Sequence, residues 1–150
     1  MKKGDDNKIE DITGITCIYI PVKDVYESIK WYEKSLGCEP TNHNPINPGM
    51  ERSILRFPDN KGGFSSPSLR QMVPAIFLVT EKREVETLLF KDEGSNQHPI
   101  ACFITPHIHE MYKRFKEYEV NILTEIQESP FGSNFKFYDP DGNMLEIWQP

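Results

Sequence analysis

The sequence predicts an α+β fold built from two βαβββ modules, and three observations predict it. The order strand, helix, strand, strand, strand runs once before residue 80 and again after residue 98. Each half carries one amphipathic helix whose apolar residues recur at i, i+3/i+4 and i+7. The chain closes on a hairpin whose turn, Asp139-Pro140-Asp141-Gly142-Asn143, has a mechanism: Pro140 fixes φ, Gly142 accepts φ > 0, and the Asx side chains bond nearby backbone. A repeat of this length indicates two copies of one supersecondary unit, not a solenoid.

The elements follow in order. Residues 1–11 are polar and charged and read as a disordered tail. Ile15 to Val22, rich in β-branched and aromatic residues, reads as a strand. Asp24 with Glu27 three residues later forms a capping-box start. Val25, Ile29, Tyr32 and Leu36 then mark the buried stripe of a helix that Gly37 stops. A strand is expected from Cys38, another over Ser53–Phe57, and a third over Val73–Val79. Two loops rich in Pro, Asn, Gly and Ser, Thr41 to Gly49 and Asp59 to Ser68, separate them and are placed to act as lids. Residues 81–97 are charged around Leu88-Leu89-Phe90 and read as a connector with an extra edge strand. In the second half, Pro99–Thr105 is a strand. Ile108, Met111, Tyr112 and Phe115 stripe a helix ending near Tyr118, and strands follow over Val120–Ile126, Phe135–Tyr138 and Met144–Trp148.

Length and charge bound the function. At 150 residues the chain is expected to form one domain, residues 12–150, with module one at 12–80, the connector at 81–97 and module two at 98–150. Lys and Arg number 17 against 23 Asp and Glu, giving a net charge of −6, so no nucleic-acid partner is expected. No apolar stretch approaches the ~18 residues of a membrane span, and the polar N-terminus lacks the apolar core of a signal peptide. A cytoplasmic location, without a membrane partner, is the expectation. Cys17, Cys38 and Cys102 form no metal-type pair and are an odd number, which argues for reduced thiols.

Several segments carry a resemblance. They are Gly14-Ile15-Thr16-Cys17-Ile18-Tyr19-Ile20-Pro21-Val22-Lys23-Asp24, then Ser28-Ile29-Lys30-Trp31-Tyr32 with Leu36-Gly37. In the second half they are Phe131-Gly132 and Phe137-Tyr138-Asp139-Pro140-Asp141-Gly142-Asn143 with Leu145-Glu146-Ile147. In this order the chain resembles the glyoxalase/bleomycin-resistance/extradiol-dioxygenase superfamily, the vicinal oxygen chelate proteins. The resemblance implies an eight-stranded cupped mixed sheet enclosing a cavity. That cavity often holds a divalent metal, with one ligand from the first and last strand of each module. It also implies homodimers with pockets between protomers.

Carried over position by position, the resemblance places the first ligand at Cys17 and the last at Glu146. The second falls within Pro74 to Val79, where no side chain can ligate, and the third falls on Ile100, with His98 two residues early. A thiolate at Cys17 would suit zinc and not magnesium or manganese. Glu146, His98 and Cys17 are therefore the candidate metal ligands, and Glu146 is the candidate catalytic acid or base. By strand alternation, Tyr19, Cys102, Phe137 and Trp148 are expected to line the same cavity as Cys17, suiting an apolar or aromatic ligand. His43 lies in a polar loop, and His107 and His109 open the second helix.

The function expected is that of a small-molecule binder without a complete family metal site. One alternative is a metal-dependent lyase, isomerase or dioxygenase using Glu146; another is a non-catalytic interaction module with a vestigial cavity. No cofactor is expected; the one the resemblance leaves open is a single divalent metal ion.

Overall fold

A computed structural model describes residue 11 and residues 15–41, 45–58, 74–81, 87–94 and 96–150. Residues 1–10 of the expected tail at 1–11 and the expected loop at 59–68 lie outside the described residues, as do residues 42–44 of the first expected loop.

Module one runs β1 (Cys17–Val22), α1 (Val25–Leu36), β2 (Glu39–Pro40), β3 (Arg52–Arg56) and β4 (Ala75–Thr80). Its sheet has the order β1-β4-β3-β2, with β1 parallel to β4 and the other pairs antiparallel. Two short strands, β5 (Phe90–Lys91) and β6 (Gln97–His98), form a ribbon in the connector. Module two runs β7 (Ala101–Ile104), α2 (Ile108–Glu117), β8 (Asn121–Ile122), β9 (Gln127–Ser129), β10 (Gly132–Tyr138) and β11 (Met144–Gln149). Its sheet has the order β7-β11-β10-β8, with β9 also on β10 and β7 parallel to β11. Both modules thus lay their first strand parallel to their last, which is the expected βαβββ repeat. Of the strand expected over 120–126 only β8 forms, because Leu123 and Thr124 turn to donate their backbone N–H groups to the Lys136 carbonyl, and β9 follows beyond that span.

Local sequence explains the helix ends. The Asp24 carboxylate accepts the Glu27 N–H at 3.1 Å, and Gly37 ends α1 in the left-handed region at φ 72°, its N–H on the Glu33 carbonyl. Helix α2 has no such cap of its own. Its first N–H groups are met from the preceding strand and the C-terminus: Thr105 Oγ1 accepts from His107 N at 3.0 Å and Gln149 Oε1 accepts from Ile108 N at 2.8 Å.

Alternation sorts each strand into two faces. Ile20, Val22, Ile76 and Leu78 of module one and Leu145 and Ile147 of module two point to the helices and are buried. These residues merge into one apolar cluster with Phe115, Phe135 and Phe137, and Trp31 of α1 reaches Phe137 of β10 at 6.3 Å between ring centroids. The two modules therefore share a core on their helix sides. The opposite face of each sheet is left open.

The closing turn clamps the modules together. Asp139, 4% exposed, accepts four hydrogen bonds: from the Asp141 and Asn143 N–H groups on Oδ1, and from the Tyr32 hydroxyl (2.7 Å) and the Asn143 amide (2.8 Å) on Oδ2. Burial pushes its carboxyl above the ordinary range, and those bonds pull it partly back. Asn143, fully buried, also donates to the Pro21 carbonyl of β1 and accepts the Leu88 N–H. Asp141 accepts the Lys23 N–H. One five-residue turn thus ties together β1, α1 and the connector.

Candidate functional site

On β11, Met144, Glu146 and Trp148 share the open face, as alternation requires, while Leu145 and Ile147 face the core. The register of the hairpin puts Lys136 of β10 opposite Glu146, and β7 brings Cys102 alongside on the other flank. Glu146 Oε2 lies 3.8 Å from Lys136 Nζ, and both side chains are mostly covered, 16% and 22% exposed. Partial burial of the thiol, then the Glu146 charge and a hydrogen bond to it, push Cys102 up to about 12. At neutral pH Cys102 is a protonated thiol beside a paired carboxylate, not a nucleophile.

Trp148 is fixed by the hairpin tip. Its indole N–H donates to the Phe131 carbonyl at 3.0 Å. Gly132 makes this approach feasible: at φ 121° an added Cβ would run into the Gln149 carbonyl and sit 2.8 Å from Trp148 Nε1. The Phe131-Gly132 pair is therefore a device for seating Trp148 on the open face.

On the first sheet the open face carries Cys17, Tyr19 and, across β4, Phe77. The Tyr19 and Phe77 rings lie 5.2 Å apart, and Tyr19 is 64% exposed. A hydrogen bond with the Cys17 thiol raises the Tyr19 phenol above its ordinary value, while the charge of Arg52 acts the other way. Cys17 is engaged with Tyr19, and none of the described contacts links it to Glu146.

Two candidates fall elsewhere. Phe137 does not line the open face. Its register partner is Leu145, so it shares the core face, is fully buried, and packs edge-on against Phe115 at 4.9 Å. The expectation failed by one residue of parity, which in a strand moves a side chain to the opposite side. His98 does not belong to β7. It sits in the β5–β6 ribbon, with its ring 4.6 Å from that of Phe90 and Nδ1 bonded to the Pro99 carbonyl at 2.7 Å. Ile100, the register position for a third ligand, is an exposed apolar side chain. The open face of β4 offers Ala75, Phe77 and Val79, with no donor atom.

The described residues do not fit the metal that the fold family often carries. Among the described residues no group of three or more His, Cys, Asp or Glu side chains could hold an ion. Glu146 is flanked by an ammonium group and a protonated thiol, and a neighbouring ammonium opposes a second cation. Sequence reasoning missed Lys136. The signal was available: a two-strand hairpin centred on Asp141 pairs residues whose numbers sum to 282, which sets 136 against 146.

Comparison with known proteins gives the same outline. The profile of the Glyoxalase/Bleomycin resistance protein/Dioxygenase superfamily matches residues 14–147. No curated protein sequence matches the chain. Among solved structures, a glyoxylase/bleomycin resistance protein/dioxygenase domain from Frankia sp. EAN1pec is similar at a TM-score of 0.60. It is 20% identical, over 93% of this chain and 98% of that one. The fosfomycin resistance protein FosX from Listeria monocytogenes superposes at 0.61, with 15% identity over 93% and 94% of the two chains. A lactoylglutathione lyase from Agrobacterium tumefaciens gives 0.58, 15%, 93% and 96%. At these identities the likeness is one of fold. No helix among the described residues is long and apolar enough to cross a membrane. With a family profile spanning nearly its whole length and the paired βαβββ topology in place, the chain belongs to the glyoxalase/bleomycin resistance protein/dioxygenase superfamily.

Proposed function

We propose that this protein binds a small aromatic or apolar molecule against the open sheet faces without a metal ion, and that Glu146 is a polar anchor rather than a metal ligand. The observation that carries the proposal is the Lys136–Glu146 pair. An ammonium group already neutralises the carboxylate that the family places last in its ligand set. The pair offers a ligand one donor group and one acceptor group, and Trp148 offers an aromatic surface beside them.

A homodimer belongs to the same proposal. In one protomer the open faces expose Tyr19 and Ile104 (69%), apolar surface that a soluble chain ordinarily covers. A second copy laid on these faces would turn two open sheets into a closed cavity.

The test combines metal analysis with binding. Protein purified without chelator is expected to hold less than stoichiometric metal and to show no thermal shift with Ni²⁺, Zn²⁺, Mn²⁺ or Fe²⁺. A panel of aromatic small molecules is expected to quench the indole emission that is lost in Trp148→Phe. A stoichiometric metal whose removal lowers Tm would overturn the metal-free reading. Sedimentation of a strict monomer at about 100-fold above micromolar protein would overturn the dimer.

A further inference from the structure

A cleft of about 240 Å³ lies where the two modules meet on the helix side of the sheets, away from Glu146 and Lys136. Its apolar walls include Leu36 from the end of α1, Phe57 beyond β3, Phe103 of β7 and Met111 of α2. The Phe57 and Phe103 rings meet at 5.7 Å between centroids. The volume equals about eight waters at about 30 Å³ each, room for one small organic molecule.

One rim of the cleft is charged on both signs. Glu110 and Arg114 both line it from α2, one helical turn apart. Oppositely charged side chains at i and i+4 ordinarily pair with each other. Here neither forms an ion pair with the other or with any described residue, although both are at the cleft. His107 stands on the same rim, and its side chain makes no cap hydrogen bond to the helix. An anionic and a cationic group a turn apart over an apolar floor are complementary to a molecule that carries both charges at one end and an apolar group at the other.

We propose that this cleft binds a single apolar α-amino acid, with its carboxylate on Arg114, its ammonium group on Glu110 and its side chain against Phe103, Phe57 and Met111. A simple fatty or aromatic acid could pair its carboxylate with Arg114 but would bring it near Glu110 with no ammonium group to match that second charge. A simple amine could pair with Glu110 but would leave Arg114 without its carboxylate. The site meets the open face at Ile104 alone and contains neither Glu146, Lys136 nor Trp148.

The probes are L-phenylalanine, 3-phenylpropionate and phenethylamine, which share a ring and differ in charge. Binding is read from the Met111 methyl signal in methyl-labelled full-length protein. L-phenylalanine is expected to shift that signal with an affinity near millimolar, and each singly charged analogue to bind about tenfold more weakly. Arg114→Gln is expected to weaken L-phenylalanine about tenfold and leave phenethylamine no weaker, while Glu110→Gln spares 3-phenylpropionate instead. Both residues lie on the helix surface, so an unchanged circular dichroism melt confirms that the variants fold. Glu146→Gln should leave all three affinities as they were. Equal binding of L-phenylalanine and 3-phenylpropionate, or no Met111 shift with any probe, would overturn the assignment.

Discussion

Asn143→Ala tests the clamp between the modules most directly. The substitution removes three side-chain hydrogen bonds, to the Leu88 N–H (2.8 Å), the Pro21 carbonyl (3.0 Å) and Asp139 Oδ2 (2.8 Å), from a site that is fully buried. Each partner left unsatisfied in a buried place costs about 1–3 kcal/mol, and water can reach the half-buried Leu88 more easily than the others. The expected loss is about 3–5 kcal/mol, a large part of the roughly 5–15 kcal/mol of a typical domain. Urea unfolding at neutral pH measures it. The loss should also depend on pH, with a sign fixed by Asp139. Its folded carboxyl is raised by burial, so between the unfolded and folded values the folded state holds the proton more often. Stability from this group is therefore greatest below the unfolded value and is lost as pH rises through the folded one. Asn143 bonds the charged form and pulls the value down, so its removal raises it further. The deficit of Asn143→Ala should accordingly shrink as pH falls through the carboxylate range. Tyr32→Phe, which loses a bond to the same oxygen, should couple to it by about 0.5–3 kcal/mol in a double-mutant cycle. A loss under about 1 kcal/mol, or a deficit that grows in acid, would refute the clamp.

Other expectations follow from the same geometry. Phe137→Ala should cost about 3–5 kcal/mol in denaturant unfolding while Tyr19→Ala stays within about 0.5, because the first fills the core and the second lies on an open face. Equal losses would mean that the assignment of faces is wrong. Gly132→Ala should lower stability by about 2 kcal/mol or more and change the Trp148 emission, since the added methyl meets the Gln149 carbonyl and the indole nitrogen. Cys102 should react slowly with a thiol reagent at mildly alkaline pH. Glu146→Gln should speed that reaction by removing the charge that helps hold the thiol near 12, and an unchanged rate would separate the two groups.

Much of this fold was legible in the chain. Asp24 with Glu27 and the terminating Gly37 located α1 to the residue, because caps and left-handed glycines are local events. The second helix was found from its stripe alone, since its cap comes from Gln149 some forty residues away in sequence. The strand expected over 120–126 is strand only at 121–122, and the strand at 127–129 was not expected, because what ends the first is the shared Lys136 carbonyl and not a turn residue. The candidate site was less legible. Glu146 was placed on its face correctly by alternation, but Phe137 was put on the wrong one, and the β5–β6 ribbon that holds His98 could not be read from neighbouring residues.

By itself the sequence determined the two-module α+β repeat, the closing hairpin and the family, because periodicity, caps and turn chemistry are written in neighbouring residues. Only the tertiary structure decided that Lys136 meets Glu146, that Cys102 is held as a thiol beside it, and that Phe137 belongs to the core. It also decided that Asp139 and Asn143, which read as turn formers, are the joint between the modules. The physical reason is that strand register and module docking are set by partners far apart in the chain, and a shift of one residue in register exchanges one face of a strand for the other.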